Sequence, residues 1–278
     1  MKKTIVLALL FLGSGYASIA QRYEYGEPVP IKETKMHRAP RGNNVSIGEM
    51  RFGAFIAPTT SWMKPTANKS DDKLYLVDKG SSKMGFSWGL MMDYYFAENY
   101  GITTGFQLTY GGGKISTTEN PAMTTTTTNV VKSADFDYKM QYLEVPFALK
   151  LRSDDLGGGF RVFGQIGVAV GVTLSKKATY DVVYTDTLNG ASVQKTASSE
   201  NEKIRGLGIS PVLLQMNIGG GIEYAITPKL SFYTGLFFNN GFVPDVTNPK
   251  ELDLDYKGKF SDGNTRLNNI ALRIGLFF

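Results

Sequence analysis

Apolar residues recur at every second position in several separate stretches of this chain. Leu143, Val145, Phe147, Leu149 and Leu151 alternate with Glu144, Pro146, Ala148 and Lys150. Val162, Ile166, Val168, Val170, Val172 and Leu174 alternate with Arg161, Gln165, Gly167, Ala169, Gly171 and Thr173. A period of two commits a segment to extended strand, with its two residue sets on opposite faces. Neither face suits a soluble sheet. The first is continuously apolar, and the second is small, Gly-rich and dotted with single charges. The same division holds for Leu214, Met216, Ile218, Ile222, Tyr224 and Ile226, and for Ile270, Leu272, Ile274, Leu276 and Phe278. After Gln21 no apolar run approaches the roughly 20 residues of a spanning helix, so membrane entry would have to be by strands.

Eight such segments are predicted, near 46–57, 84–97, 100–112, 136–152, 160–176, 209–226, 230–240 and 268–278. The connections alternate long and short. Pro58–Lys83, Gly113–Asp135, Lys177–Gly208 and Gly241–Leu267 are long; Glu98-Asn99, Ser153–Gly159 and Thr227–Lys229 are short. Outer-membrane barrels sort their connections this way, with short periplasmic turns and long extracellular loops. The expected fold is therefore all-β: an eight-stranded antiparallel up-and-down transmembrane β-barrel with four long extracellular loops and three short periplasmic turns. The final strand would close the ring against the first near Phe52, with outer-membrane lipid covering Leu272, Ile274, Leu276 and Phe278.

The beginning of the chain reads as export. Lys2-Lys3, an apolar run through Leu12 and Ser18-Ile19-Ala20 follow the order of a signal peptide, with cleavage expected after Ala20. Residues 1–20 are thus read as signal, 21–45 as an irregular periplasmic segment bearing Pro28, Pro30 and Pro40, and 46–278 as the barrel. The destination is the outer membrane of a Gram-negative cell. The chain has no Cys, so packing or membrane burial must supply its stability.

Nine charges are predicted to face the lumen: Glu49, Arg51, Asp93, Glu144, Lys150, Arg152, Arg161, Glu223 and Arg273. Charges in so narrow an interior must be paired and hydrogen-bonded, and they are read as a structural network with Glu144 at its centre. Eight strands leave a lumen that side chains can fill, so no open pore is expected. Trp88, Tyr94, Phe96, Tyr100, Tyr110, Tyr224, Phe232, Phe238 and Phe278 are read as interfacial girdles. The sole His, His37, lies outside every strand, which leaves Ser-His hydrolysis without a base. No catalytic residue, cofactor or metal ligand is assigned. Asp253 and Asp255 are read as a solvated loop, and Gly111–Gly113 and Gly157–Gly159 as turns. The formal charge is +5 without any clustered Lys/Arg run, which leaves nucleic acid without support as a partner. A protein partner would be met by the extracellular loops or the N-terminal segment.

Tyr142-Leu143-Glu144-Val145-Pro146-Phe147-Ala148-Leu149-Lys150 resembles a strand of the PorT-like outer-membrane β-barrel proteins. Gly219-Gly220-Gly221-Ile222-Glu223-Tyr224 and the aromatic end are similar too. The resemblance implies a small outer-membrane barrel, and PorT itself is associated with type IX secretion. By the same kind of resemblance to other outer-membrane proteins, Phe278 would be read by the barrel-insertion machinery.

Overall fold

The computed structural model describes residues 47–66, 75–119, 131–188, 190–203, 210–243 and 265–278. The expected signal peptide, the whole N-terminal segment with His37, and Asp253 and Asp255 lie outside them. The strands are β1 Met50–Pro65, β2 Tyr75–Lys79, β3 Lys83–Ala97, β4 Tyr100–Glu119, β5 Val131–Arg152, β6 Phe160–Leu188, β7 Ala191–Lys203, β8 Val212–Ala225, β9 Ser231–Gly241 and β10 Thr265–Phe277.

Eight of them form a closed antiparallel ring in the order β1-β3-β4-β5-β6-β8-β9-β10, with β10 returning to β1. The seam pairs Gly53 with Phe277, and the Phe278 N–H donates to the Phe52 carbonyl at 2.8 Å. Closure leaves no unpaired edge at membrane depth, where lipid could not satisfy one. The extra strands do not widen the ring. β2 pairs with β4 from Ile115 to Glu119, above the stretch where β3 pairs with it. β7 pairs with β6 from Lys177 to Leu188, above the β6–β8 ladder. Each is an outward continuation of a ring strand.

Most residues expected to face lipid are exposed, and most of their neighbours are buried; Leu214, Met216 and Ile222 on β8 are half-buried. Val145, Phe147, Ile166, Val170, Leu236 and Ile270 all lie on the outside. From Val162 to Leu174 the outer face of β6 is apolar for about 40 Å of strand, or about 30 Å of bilayer at a tilt near 40°. Of the expected girdle residues, Tyr94, Phe96, Tyr100, Tyr224, Phe232 and Phe278 gather at the short-turn end. Trp88 instead lies within the belt, opposite Ile56 and Leu108.

The strands run well past the belt, and there the pattern inverts. On β5, Leu143, Val145 and Phe147 face out and Glu144 faces in. A few residues further up, Phe136, Tyr138, Met140 and Tyr142 face in, while Asp135, Asp137, Lys139 and Gln141 face out. β6 crosses the same line with a register shift near Leu174, after which Ala178, Tyr180, Val182 and Tyr184 face in. Lipid bathes the outer face below the inversion and water above it. Much of the connections expected at Gly113–Asp135 and Lys177–Gly208 is consequently strand, with an apolar core of its own. Phe136 stacks on Tyr138 at 5.7 Å and meets Tyr180 at 6.0 Å.

Gly111–Gly113 also departs from expectation: it is strand, part of β4. Ser61 Oγ on β1 donates to the Gly112 carbonyl at 2.7 Å and accepts from its N–H at 3.1 Å. A Cβ on Gly113 would lie 2.8 Å from the Met63 nitrogen. The glycines let the top of β1 lean directly on β4. Gly157, Gly158 and Gly159 do form a turn, with φ of 126°, 68° and 86°.

Candidate functional site

The ring turns polar side chains of all eight strands into one enclosed space. Eight of the nine predicted charges are buried there: Arg51, Asp93, Glu144, Lys150, Arg152, Arg161, Glu223 and Arg273. Glu49 is not among them. It is exposed, one residue ahead of β1. Its backbone carbonyl accepts from the Tyr95 N–H at 3.3 Å.

The hub is Glu223 on β8, not Glu144. Arg51 Nη1 lies 3.1 Å from Glu223 Oε2, and Arg152 Nη1 lies 3.8 Å from the same oxygen. Lys150 Nζ donates to Glu223 Oε1 and also meets Asp93 Oδ2 at 2.6 Å. Thr103 Oγ1 donates to Asp93 Oδ1 at 2.7 Å. Arg161 faces Glu223 directly across the β6–β8 ladder. Four bases thus share two acids, and aromatic faces take up part of the excess. The Arg51 guanidinium lies 4.4 Å from the Phe277 ring centroid, Lys150 Nζ lies 4.6 Å from that of Phe163, and the Arg152 guanidinium lies 4.4 Å from that of Tyr95. Each such contact is worth about 2 kcal/mol when desolvated.

Glu144 sits higher, among neutral donors. Gln107 Nε2 donates to it at 2.7 Å, and Thr109 Oγ1 and Gln215 Nε2 complete its shell. Gln107 links it to Arg273, whose Nη2 donates to the Gln107 Oε1 at 2.9 Å. The Arg273 guanidinium lies between Phe55 and Phe237, 4.8 Å and 4.2 Å from their ring centroids. Beside this layer runs an amide ladder. Gln165 donates to Asn217 at 2.8 Å, Asn217 to Asn239, and Asn239 to Asn269 at 2.7 Å.

The Gly-rich inner face has a specific use. Gly53 faces Phe277, Gly219 faces Phe237, and Gly275 faces Tyr233 across adjacent strands. A Cβ would meet those rings at 2.9 Å, 2.2 Å and 2.3 Å respectively. The glycines therefore let aromatic rings lie flat against the wall and fill the lumen. Gln107, Gln165, Gln215 and Asn217 are buried on the inner face, where alternation alone assigns them no role. Phe277, which seats two cations, is masked in the sequence by its lipid-facing neighbour Phe278.

A closed eight-strand ring with a lipid-compatible exterior and a salt-bridged interior is an outer-membrane β-barrel. Residues 44–241 match the family described as Outer membrane protein beta-barrel domain, and the chain belongs to it. Among solved structures, the chain is similar to Ail, the attachment invasion locus protein of Yersinia pestis, at 15% identity over 84% of this chain and 100% of that one, TM-score 0.34. Neisserial surface protein A shares 12% identity over 82% of this chain and 97% of its own, TM-score 0.35. OprG from Pseudomonas aeruginosa shares 13% over 86% and 98%, TM-score 0.35. No curated protein matches the chain.

Proposed function

We propose that the protein is a closed, non-conducting and non-catalytic barrel with a structural or interaction role, carried to a Gram-negative outer membrane by a cleaved signal peptide. The observation that carries this reading is the continuous filling of the interior. The Glu223 network, the Glu144 layer with the amide ladder beside it, and the aromatic core follow one another from the short-turn end upward. A transport barrel needs a water path, and an enzyme needs a reactive group with room for substrate. Here the buried charges meet one another, neutral hydrogen-bond partners or aromatic faces. The strands prolonged beyond the bilayer offer a surface for a protein partner. Planar-bilayer recordings of the refolded protein test the reading. No discrete channel events are expected, and reproducible stepwise conductance would sink it in favour of a narrow porin.

A second reading, association with type IX secretion, is favoured by the PorT-like segment Tyr142–Lys150. A deletion strain whose secreted proteins match those of its parent would remove it.

A further inference from the structure

The chain has no run of basic residues, yet the fold assembles one. Lys139 on β5 pairs directly with Lys177 on β6, which pairs directly with Lys203 on β7. All three are exposed. Like charges set opposite one another on adjacent strands destabilise a sheet unless something compensates them. Among the described residues, no carboxylate lies within ion-pair distance of any of the three. Lys139 Nζ meets only the neutral Asn201 Oδ1, at 2.5 Å. Of the nearby acids, Asp137 is already engaged by Lys83 and Lys114, and Glu202, beside Lys203, accepts from the Tyr180 hydroxyl at 2.8 Å. Asp135 and Asp181 face each other about 13 Å further up, four residues away at about 3.3 Å each.

The height of the row is informative. Leu143 pairs with Val172 at the top of the lipid-facing belt, and Gln141 pairs with Ser175 one step above. The lysines come next, just above the inversion of polarity that marks the bilayer surface. Lys139 and Lys177 also border a cleft of about 350 Å³, shared with Lys83, Tyr110, Gln141 and Ser175. An apolar belt leads up to this cleft, and uncompensated ammonium groups line it.

We propose that this lysine row binds the phosphate of a lipid headgroup in the outer leaflet, with the acyl chains lying on the belt below. Lysine suits the task as a compact point charge that meets phosphate. Basic pockets at the headgroup level of membrane proteins bind anionic lipids in the same way. The inference rests on the outer face of the barrel and is independent of whether the lumen conducts.

The full chain, refolded into neutral phosphatidylcholine nanodiscs, is offered lipid A bearing its two phosphates, and retained lipid is counted by native mass spectrometry. The expected result is at least ten-fold weaker retention by the triple variant Lys139→Gln/Lys177→Gln/Lys203→Gln. The triple Arg variant should retain the lipid, and Lys229→Gln at a periplasmic turn should match the unmodified protein. These outward positions touch neither core, and heat-modifiable gel mobility confirms that each variant is folded. Equal retention by the triple Gln variant overturns the proposal, as does equal retention of dephosphorylated lipid A. Displacement by inorganic phosphate at the lipid's own concentration also overturns it, because the site would then serve a free anion.

Discussion

Glu223 and Glu144 are both buried carboxylates on the inner wall, yet their surroundings make them unequal. Glu223 holds three cations that would otherwise be left uncompensated. Removing one partner of a buried ion pair costs about 3–5 kcal/mol, mostly as the cost of the charges left behind. Glu223→Gln should therefore lower unfolding stability in lipid vesicles by about that amount, measured by urea titration. Glu144→Gln breaks no ion pair and should cost less. Equal losses at the two sites would refute the assignment of the hub. Alternation alone told which charges face inward, but not which meet. Meeting depends on the stagger between strands that are not sequence neighbours, and a single strand does not encode that stagger. Glu49 shows the other limit: it precedes β1, and alternation extrapolated past the strand's end does not hold for its side chain, which is exposed.

At the scale of the strand, lipid is what made the fold legible. It demands an apolar side chain at every outward position, and the period of two between Leu143 and Leu151 follows directly. Above the bilayer the period persists but its polarity reverses, so Phe136, Tyr138 and Met140 do not continue the lipid-facing set. A reading tuned to the membrane therefore ends the strands at 100–112 and 160–176 near the bilayer and assigns their remainder to loops, although 136–152 already takes in Phe136, Tyr138 and Met140. The placement of the inversion can be tested with charge. Val168→Arg, in the middle of the belt, should cost about 2–4 kcal/mol. Asp181→Arg, on the outer face of β6 above the inversion, should fall within about 0.5 kcal/mol of the unmodified protein. Urea unfolding in vesicles measures both, and a large penalty at Asp181 would move the bilayer surface upward.

For the molecule as a whole, the ring and the number of its strands were legible because loop lengths alternate, and that alternation reports which end each connection lies on. The two outward continuations, β2 and β7, were not. They answer to the aromatic core above the bilayer, which is assembled from residues far apart in the chain. The seam is the global test of the ring. A side chain at Gly53 would meet the Leu276 carbonyl at 2.6 Å and the Phe277 ring at 2.9 Å. Gly53→Val should cost about 1–3 kcal/mol by overpacking and lower the yield of compact, heat-modifiable barrel in refolding. An unchanged yield would argue that β1 and β10 do not close the ring in this register.

That seam also has a consequence in time. Most neighbours in the ring are joined by a single hairpin and can zip together locally, whereas Gly53 and Phe277 lie at opposite ends of the folding segment. Contacts of such separation form slowly, because order must accumulate between the partners before they can meet. Until β10 arrives, β1 is an open edge able to recruit a foreign strand. The vulnerable species is thus the nearly complete barrel waiting for its last strand, and a probe pair placed across the seam should be the slowest to report during refolding.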